Sequence, residues 1–256
     1  MSIVVAICLR TGRRVWRRPV TLAFSFAQPL LWMSFFGFLM HRFPLGDLPQ
    51  DVSYLTFLLP GICALTLMQG SSQSGIGLVR DFQRGFLQRM LMTPAPRSLI
   101  HLGRLVAEVS RMHGQALVVA LLGVVVGARM QLSPGSLALA LAASVCFAVA
   151  FSSLSSIVAL RARAPEPVGT FVQLVNMPLL FTSTALVPQK QMPEWLAALS
   201  TFNPLTLVAD SLRAALVFGV NPPLINVGIL AVLACIMSVW AVYELNHLAL
   251  TLVESE

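Results

Sequence analysis

Six long apolar runs, each about as long as a lipid bilayer is thick, constrain this chain more than any other feature. They cover residues 20–40, 54–79, 105–126, 136–160, 168–187 and 224–244. An α-helix of about 20 apolar residues crosses the roughly 30 Å hydrocarbon core of a bilayer. Only 11% of the 256 residues are charged, against about 25% in soluble domains. A soluble fold could not bury so much apolar surface. The runs therefore predict an all-α membrane protein with six transmembrane helices in one domain, 1–256.

The arginines predict the orientation of these spans. Positively charged residues concentrate in cytoplasmic loops, and a cytoplasmic N-terminus places all but four of the 17 basic residues there. The four exceptions are Arg42, Arg129, Lys190 and Arg213. Both termini are then cytoplasmic, and we expect a multi-pass protein of the bacterial cytoplasmic (inner) membrane. Because the arginine clusters lie between apolar runs, they indicate topology and not a nucleic-acid partner.

Residues 1–19 are predicted to form a separate amphipathic helix that lies flat at the cytoplasmic interface. Apolar residues share one face, and arginines near anionic head groups follow them. The apolar run after it is too long for a cleaved signal peptide, so it is interpreted as a retained first span.

The four cysteines and four histidines are scattered, without a CxxC or Cys/His spacing, and no metal site is predicted.

The longest cytoplasmic segment joins the second and third spans and is patterned as a short helix. Phe82, Phe86, Leu87, Met90 and Leu91 fall at helical spacing opposite arginines, which predicts an amphipathic helix. The stretch Thr93-Pro94-Ala95-Pro96 halts it, and a new helix starts near Arg97. Such a helix can dock in the groove of a partner or lie on the membrane surface.

Between the fifth and sixth spans, residues 188–223 hold two apolar patches shorter than a span. Asn203-Pro204 separates them, because proline disfavours helix in the residue before it. We expect a re-entrant or interfacial helix pair on the extracytoplasmic side. Asp210 and Arg213 lie at i,i+3 and can pair there.

Two blocks of sequence resemble the permeases of type-2 ABC transporters. LLPG at 58–61, followed by QRGFLQRMLMTPAPRSLIHLGR, is similar to the family's first signature. PLLFTSTALVPQKQMPEWLAALSTFNPLTLVADSLR at 178–213 is similar to its second. The permeases of drug-resistance exporters of the daunorubicin type, and of nodulation-factor exporters, are the most similar members. The chain departs from the family pattern at Gln83 and Gln88, where acidic residues are common.

This resemblance implies a partnership. Two copies of the permease, or two paralogues, would pair in the bilayer above two copies of an ABC ATP-binding subunit. The helix between spans 2 and 3 would be the coupling helix. Residues implied in coupling to the ATPase are Asp81, Gln83, Arg84, Gly85, Leu87, Arg89, Thr93, Pro94 and Arg97. The re-entrant motif would comprise Pro193, Trp195, Asn203, Pro204, Asp210 and Arg213.

The chain carries no G-x-x-x-x-G-K-[ST] phosphate-binding loop. We therefore expect no cofactor on this chain, no catalytic residue, and ATP with Mg²⁺ on the partner subunit. The predicted function is export of a drug-like, lipid-like or glycolipid substrate, including antibiotic efflux.

Polar and aromatic residues inside the spans are candidates for the substrate path, because polar groups in lipid usually face a bundle interior. They equally suit interhelical packing. The candidates are Phe57, Met68, Gln69, Gln73, Phe171, Gln173, Asn176 and Phe181. On the second span, Gly61, Gly70, Gly75 and Gly77 are predicted to allow close helix approach or bending.

Two other classes of function fit parts of the sequence. A gradient-driven secondary transporter or channel usually carries acids at mid-membrane depth, whereas Glu108, Glu166 and Glu244 fall near the predicted span ends. An intramembrane serine protease would need Ser74 and His247 within hydrogen-bond reach.

Overall fold

The computed structural model describes residues 19–39, 52–93, 96–131 and 133–253, with side chains from 26 to 249 within those ranges. The regular structure in these ranges is helical. The predicted interfacial helix at 1–19 lies almost wholly outside them, as do Pro94 and the C-terminal tail.

Nine α-helices follow one another in the described part of the chain. They are α1 Pro19–Leu39, α2 Tyr54–Gln83, α3 Phe86–Leu91, α4 Arg97–Val125, α5 Pro134–Ala162, α6 Pro165–Phe181, α7 Glu194–Thr201, α8 Pro204–Leu216 and α9 Leu224–Val253. A 3₁₀ turn at Gln189–Gln191 precedes α7.

Four of the helices, α2, α4, α5 and α9, are long and apolar enough to cross a bilayer. They coincide with the second, third, fourth and sixth predicted spans. Each helix extends beyond the predicted apolar run, since a continuous helix carries the chain past the membrane surface. In α4, the predicted restart at Arg97 and the third span are one helix.

The first and fifth predicted spans also coincide with helices, but their status as spans stays a prediction. The fifth was predicted to reach residue 187, whereas α6 ends at Phe181. Ser183 Oγ donates to the carbonyl of Leu180 at 2.9 Å and accepts from the amide of Ala185 at 3.3 Å. These local bonds compete with the helical ladder and end the helix.

The core lies between α2 and α5, on which the other long helices pack. The span of α2 is almost wholly buried by its neighbours, while α4 and α9 keep apolar side chains such as Leu117 and Val232 exposed for lipid contact. A second cluster of buried residues closes the end where α2 meets α3; Leu78, Leu87, Ile100, Val168 and Leu245 belong to it.

Glycines allow α2 to approach its neighbours closely, as predicted for Gly61, Gly70 and Gly75. A Cβ on Gly61 would overlap the backbone of Ala185, and one on Gly75 would lie 2.8 Å from the carbonyl carbon of Ser155. At Gly77, a Cβ would have nothing within 4 Å. Close helix approach, one of the two roles predicted for Gly77, is therefore wrong, because this glycine faces open space, and bending at Gly77 stays a prediction.

Candidate functional site

A sharp turn after α2 sets the position of α3. Gly85 has φ 69°, in the left-handed region that side chains disfavour and glycine adopts freely. Gly85 N donates to the carbonyl of Phe82 at 2.9 Å, and α3 begins at Phe86. The turn folds α3 back against the end of the bundle.

Two leucines fasten α3 to that end. Leu87 and Leu91 are buried in the cluster that includes Ile100 and Leu248, while Phe82 and Met90 pack partly against it. The predicted apolar face of this helix is confirmed, and it rests on the protein itself. Leu87, predicted as a coupling residue, is thus an anchor beneath the surface.

Several residues within α3 and on either side of it in sequence are exposed, and three of them are arginines. We define the α3 face as the exposed residues Gln83, Arg84, Arg89, Met92, Thr93 and Arg97. Arg89 also donates from Nε to the carbonyl of Gly85 at 3.3 Å. The face brings together five of the nine residues predicted to couple to a partner, at the end of the bundle where α2 ends and α4 begins.

Asp81 lies outside the α3 face. Its side chain is buried, and Oδ2 accepts from Arg104 Nη1 at 3.1 Å. Arg104 also donates to the carbonyl of Ser74 at 3.4 Å. The carboxylate therefore joins α2 to α4 inside the chain and is not presented to a partner.

The predicted substrate-path residues differ in their exposure. Phe57 and Met68 are core residues, and Asn176 is buried with Nδ2 donating to Ser72 Oγ at 2.9 Å. Gln173 and Phe181 are exposed on α6. Gln69 and Phe171 are half-buried, and Gln73 is exposed.

At the other end of the bundle lie two short helices, α7 and α8. Their re-entrant or interfacial placement stays a prediction. The break falls at Asn203, whose Oδ1 accepts from the amide of Leu205 at 2.8 Å and caps α8. Its Nδ2 donates to the carbonyl of Leu179 at 2.8 Å and to Thr182 Oγ1 at 2.9 Å. Pro193 is the residue before α7, and Pro204 is the first residue of α8. Trp195 is exposed by 66%.

Arg213 is the centre of this end. It is buried and pairs with Asp210, as the spacing predicted. Its Nε donates to the carbonyl of Phe57 at 3.3 Å, and its Nη2 donates to the carbonyl of Thr184 at 3.0 Å. Thr184 Oγ1 in turn donates to Asp210 Oδ1 at 2.9 Å. The sequence alone could not identify these two carbonyl acceptors, because every residue has a backbone carbonyl and only the fold brings these two close to Arg213.

A second charged group lies at the middle of a long helix. Arg111 was predicted among the cytoplasmic arginines, but it is the central residue of α4. Its Nε donates to Glu108 Oε2 at 3.0 Å, and its Nη2 donates to the carbonyl of Gly70 at 3.4 Å. Glu108, which was predicted near the start of the third span, lies one turn before Arg111, and α4 begins eight residues before that predicted start.

A chain of hydrogen bonds crosses the bundle between α4, α5 and α9. His101 Nε2 and Ser153 Oγ are 3.2 Å apart, and Ser153 Oγ is 3.2 Å from Ser238 Oγ. His101 and Ser238 line an apolar groove of about 630 Å³ between α4, α5 and α9. Polar side chains within the spans thus serve interhelical bonding at this place.

The serine and histidine that a protease would need differ in their exposure to solvent. Ser74 is buried on α2, whereas His247 is exposed on α9. The structure therefore does not present them as a nucleophile and its base.

Comparison with known proteins adds independent information. The sequence profile of the family "ABC-2 type transporter" matches residues 3–217. The protein named "Putative transport permease ycf38" of Cyanophora paradoxa is 34% identical over 199 residues, which are 77% of this chain and 68% of that protein. "Daunorubicin resistance ABC transporter permease protein DrrB1" of Streptomyces coeruleorubidus is 26% identical over 76% of this chain and 68% of its own length. "Probable doxorubicin resistance ABC transporter permease protein DrrC" of Mycobacterium tuberculosis (strain ATCC 25618 / H37Rv) is 27% identical over 93% of this chain and 86% of its own length.

Proposed function

Because the chain belongs to the ABC-2 type transporter family, we propose that it is the permease subunit of an ATP-driven exporter and that the α3 face is its contact with the ATPase. The chain is a membrane subunit of an ABC transporter, and its relatives are permeases. ATP hydrolysis belongs to a separate subunit, since ABC-2 permeases work with ATP-binding partners. Two such partners would bind two permease copies, or one copy and a paralogue.

The observation that carries this proposal is the way α3 is held. Leu87 and Leu91 belong to a buried cluster that also holds residues of α2, α4, α5 and α9. A push on the exposed side of α3 would therefore be passed to this cluster of long helices, because a close-packed interior transmits strain. Arg84, Arg89 and Arg97 offer three exposed guanidinium groups to acidic side chains of a partner.

The cargo proposed is a drug-like, lipid-like or glycolipid amphiphile, moved out of the cytoplasm of a bacterium. The names of two relatives refer to resistance to daunorubicin and doxorubicin, which supports export of an amphiphilic drug. The apolar outer surfaces of α4 and α9 keep the chain in the bilayer, where such molecules partition.

The test is co-purification with a candidate ATP-binding subunit encoded beside the gene. We expect a stable complex in which vesicle transport requires ATP. A matched complex whose ATPase lacks its phosphate-binding lysine should assemble and not transport. Transport that survives both ATP depletion and loss of that lysine would overturn the proposal in favour of a gradient-driven carrier.

A further inference from the structure

The ion pair between Glu108 and Arg111 lies inside the third predicted span, 105–126, and near the middle of α4. Arg111 is fourteen residues from each end of α4, Arg97 and Val125, or about 21 Å at 1.5 Å per residue. The side chains of Arg111 and Glu108 are 25% and 20% exposed. Neither is sealed in the core, and neither lies at an end of the helix.

A partly exposed ion pair at this depth cannot face lipid at low cost. Ionisable side chains inside a bilayer almost always face the bundle interior or a water-filled cavity. Arg111 donates a hydrogen bond to the Gly70 carbonyl of α2. One turn further along α2, Gln73 is exposed, and Gln69 is half-buried.

These polar groups share one side of the α2–α4 pair. On the other side, α5 packs against both helices: Ser155 Oγ accepts from the amide of Gly75 at 3.1 Å, and Ser144 Oγ lies 2.9 Å from His113 Nε2. At about 100° per residue, Gln73 is about 160° from Gly75 and Arg111 is about 160° from His113. Both therefore point away from α5. We call Gln73, Glu108 and Arg111 the mid-helix polar patch.

The outer surface of α4 is different. Val106, Leu117 and Leu121 are exposed and apolar, and Ser110 lies in the same row. Ser110 is adjacent to Arg111 in sequence, so it lies at the same level of α4, but it faces the exposed apolar side of the helix. The polar patch is thus a local feature of one side of α4.

The patch is also balanced in charge. Glu108 neutralises Arg111, and seven residues nearer the start of the helix Asp81 neutralises Arg104. The patch therefore offers hydrogen-bond donors and acceptors but carries no net charge. Such a surface suits hydroxyl and amide groups, since an ionic group would lose hydration and gain no net attraction.

We propose that the mid-helix polar patch lines a water-filled cargo path and receives the polar head of the transported molecule, a neutral head rich in hydroxyl or amide groups. This rests on the proposed export function. It names the chemical class of the cargo at that site.

The first experiment measures water access. In a variant whose native cysteines are replaced, Gln73→Cys and, separately, Ser110→Cys are treated in membranes with the charged thiol reagents trimethylammonioethyl and sulfonatoethyl methanethiosulfonate. We expect both reagents to modify residue 73 at least tenfold faster than residue 110. Equal rates at the two positions, or no reaction at 73, would overturn the assignment of a water-filled path.

The second experiment measures charge balance. At Gln73→Cys, the rates of the cationic and anionic reagents, each divided by its rate with a free thiol, should agree within about threefold. Adding Glu108→Gln should leave Arg111 uncompensated and favour the anionic reagent by about tenfold, because a unit charge acts strongly at short range in a protein. A tenfold preference in the parent would overturn the neutral head, and an unchanged ratio after Glu108→Gln would overturn the role of the pair.

Neither experiment needs the ATP-binding subunit. Failure of the labelling would therefore leave co-purification and ATP-dependent transport as separate evidence for the export function. Failure of those assays, with labelling as expected, would remove the exporter and leave a water-filled path.

Discussion

The Cζ atom of Arg213 lies 3.8 Å from the centre of the Phe57 ring, while its Nε donates to the Phe57 carbonyl. The Arg213 side chain of α8 thus contacts both the ring and the backbone carbonyl of Phe57 in α2. A further hydrogen bond from Arg213 to the carbonyl of Thr184 connects α8 to the turn after α6. Arg213 therefore joins three segments that are far apart in sequence.

Arg213→Ala should lower the free energy of unfolding by about 2 kcal/mol. Removing one partner of a fully buried pair costs about 3–5 kcal/mol, but Asp210 is 40% exposed and water can replace part of its bond. Arg213→Lys should lose less, since it keeps the charge without the planar fork. Unfolding in mixed micelles by added dodecyl sulfate measures both.

The control is Arg129→Ala, which removes an exposed arginine at the same end of the bundle. It should leave the free energy of unfolding nearly unchanged. Equal losses at Arg213 and Arg129 would show that the contacts of Arg213 contribute nothing.

Alanine substitutions at two glycines of α2 distinguish the effect of close packing on stability from the effect of helix propensity. Gly75→Ala should destabilise the protein by about 1–3 kcal/mol, the usual range for overpacking, because its Cβ would press on the backbone of Ser155. Gly77→Ala meets nothing within 4 Å and should be neutral or slightly stabilising. The same unfolding assay measures both, and a greater loss at Gly77 would contradict the packing of α2 on α5.

Two substitutions of Asn203 should lower the stability of the protein to different degrees. Asn203→Asp keeps an oxygen to cap α8 but loses the donors to Leu179 and Thr182. Asn203→Ala loses the cap as well, which is worth about 1 kcal/mol. We expect stability to fall in the order Asn, Asp, Ala, as measured by thermal unfolding in detergent. Asn221→Ala, at an exposed position, is the control, and a fall as large as that of Asn203→Ala would count against the cap.

Much of this architecture follows from the sequence. Span length and arginine asymmetry depend on composition over many residues, and the period of Leu87 and Leu91 reveals the buried side of α3. The central position of Arg111 in α4 did not follow, because a helix that begins in a surface segment and continues into an apolar run leaves no break in the sequence. The acceptors of Arg213 were equally hidden, since both are backbone carbonyls brought close only by the fold.

Reversing one charge on the α3 face should separate ATP hydrolysis from transport. Arg84 is exposed, so Arg84→Glu should leave the fold intact and repel acidic groups of the partner. We expect fewer molecules transported per ATP hydrolysed in reconstituted vesicles. Arg129→Glu, the same reversal at the other end of the bundle, should not change that ratio. Loss of transport in both variants alike would argue against a specific role of the α3 face.

The contact between the α3 face and an ATP-binding subunit can be located directly by photocrosslinking. Met92 on the α3 face and Trp195 on α7 are matched in exposure, at 61% and 66%, and lie at opposite ends of the bundle. With benzoylphenylalanine at one or the other position in the purified complex, we expect an adduct with the ATP-binding subunit at residue 92 and none at residue 195. An adduct at 195, or no adduct at 92 in an intact complex, would contradict the central claim that α3 is where this permease receives the work of its ATPase.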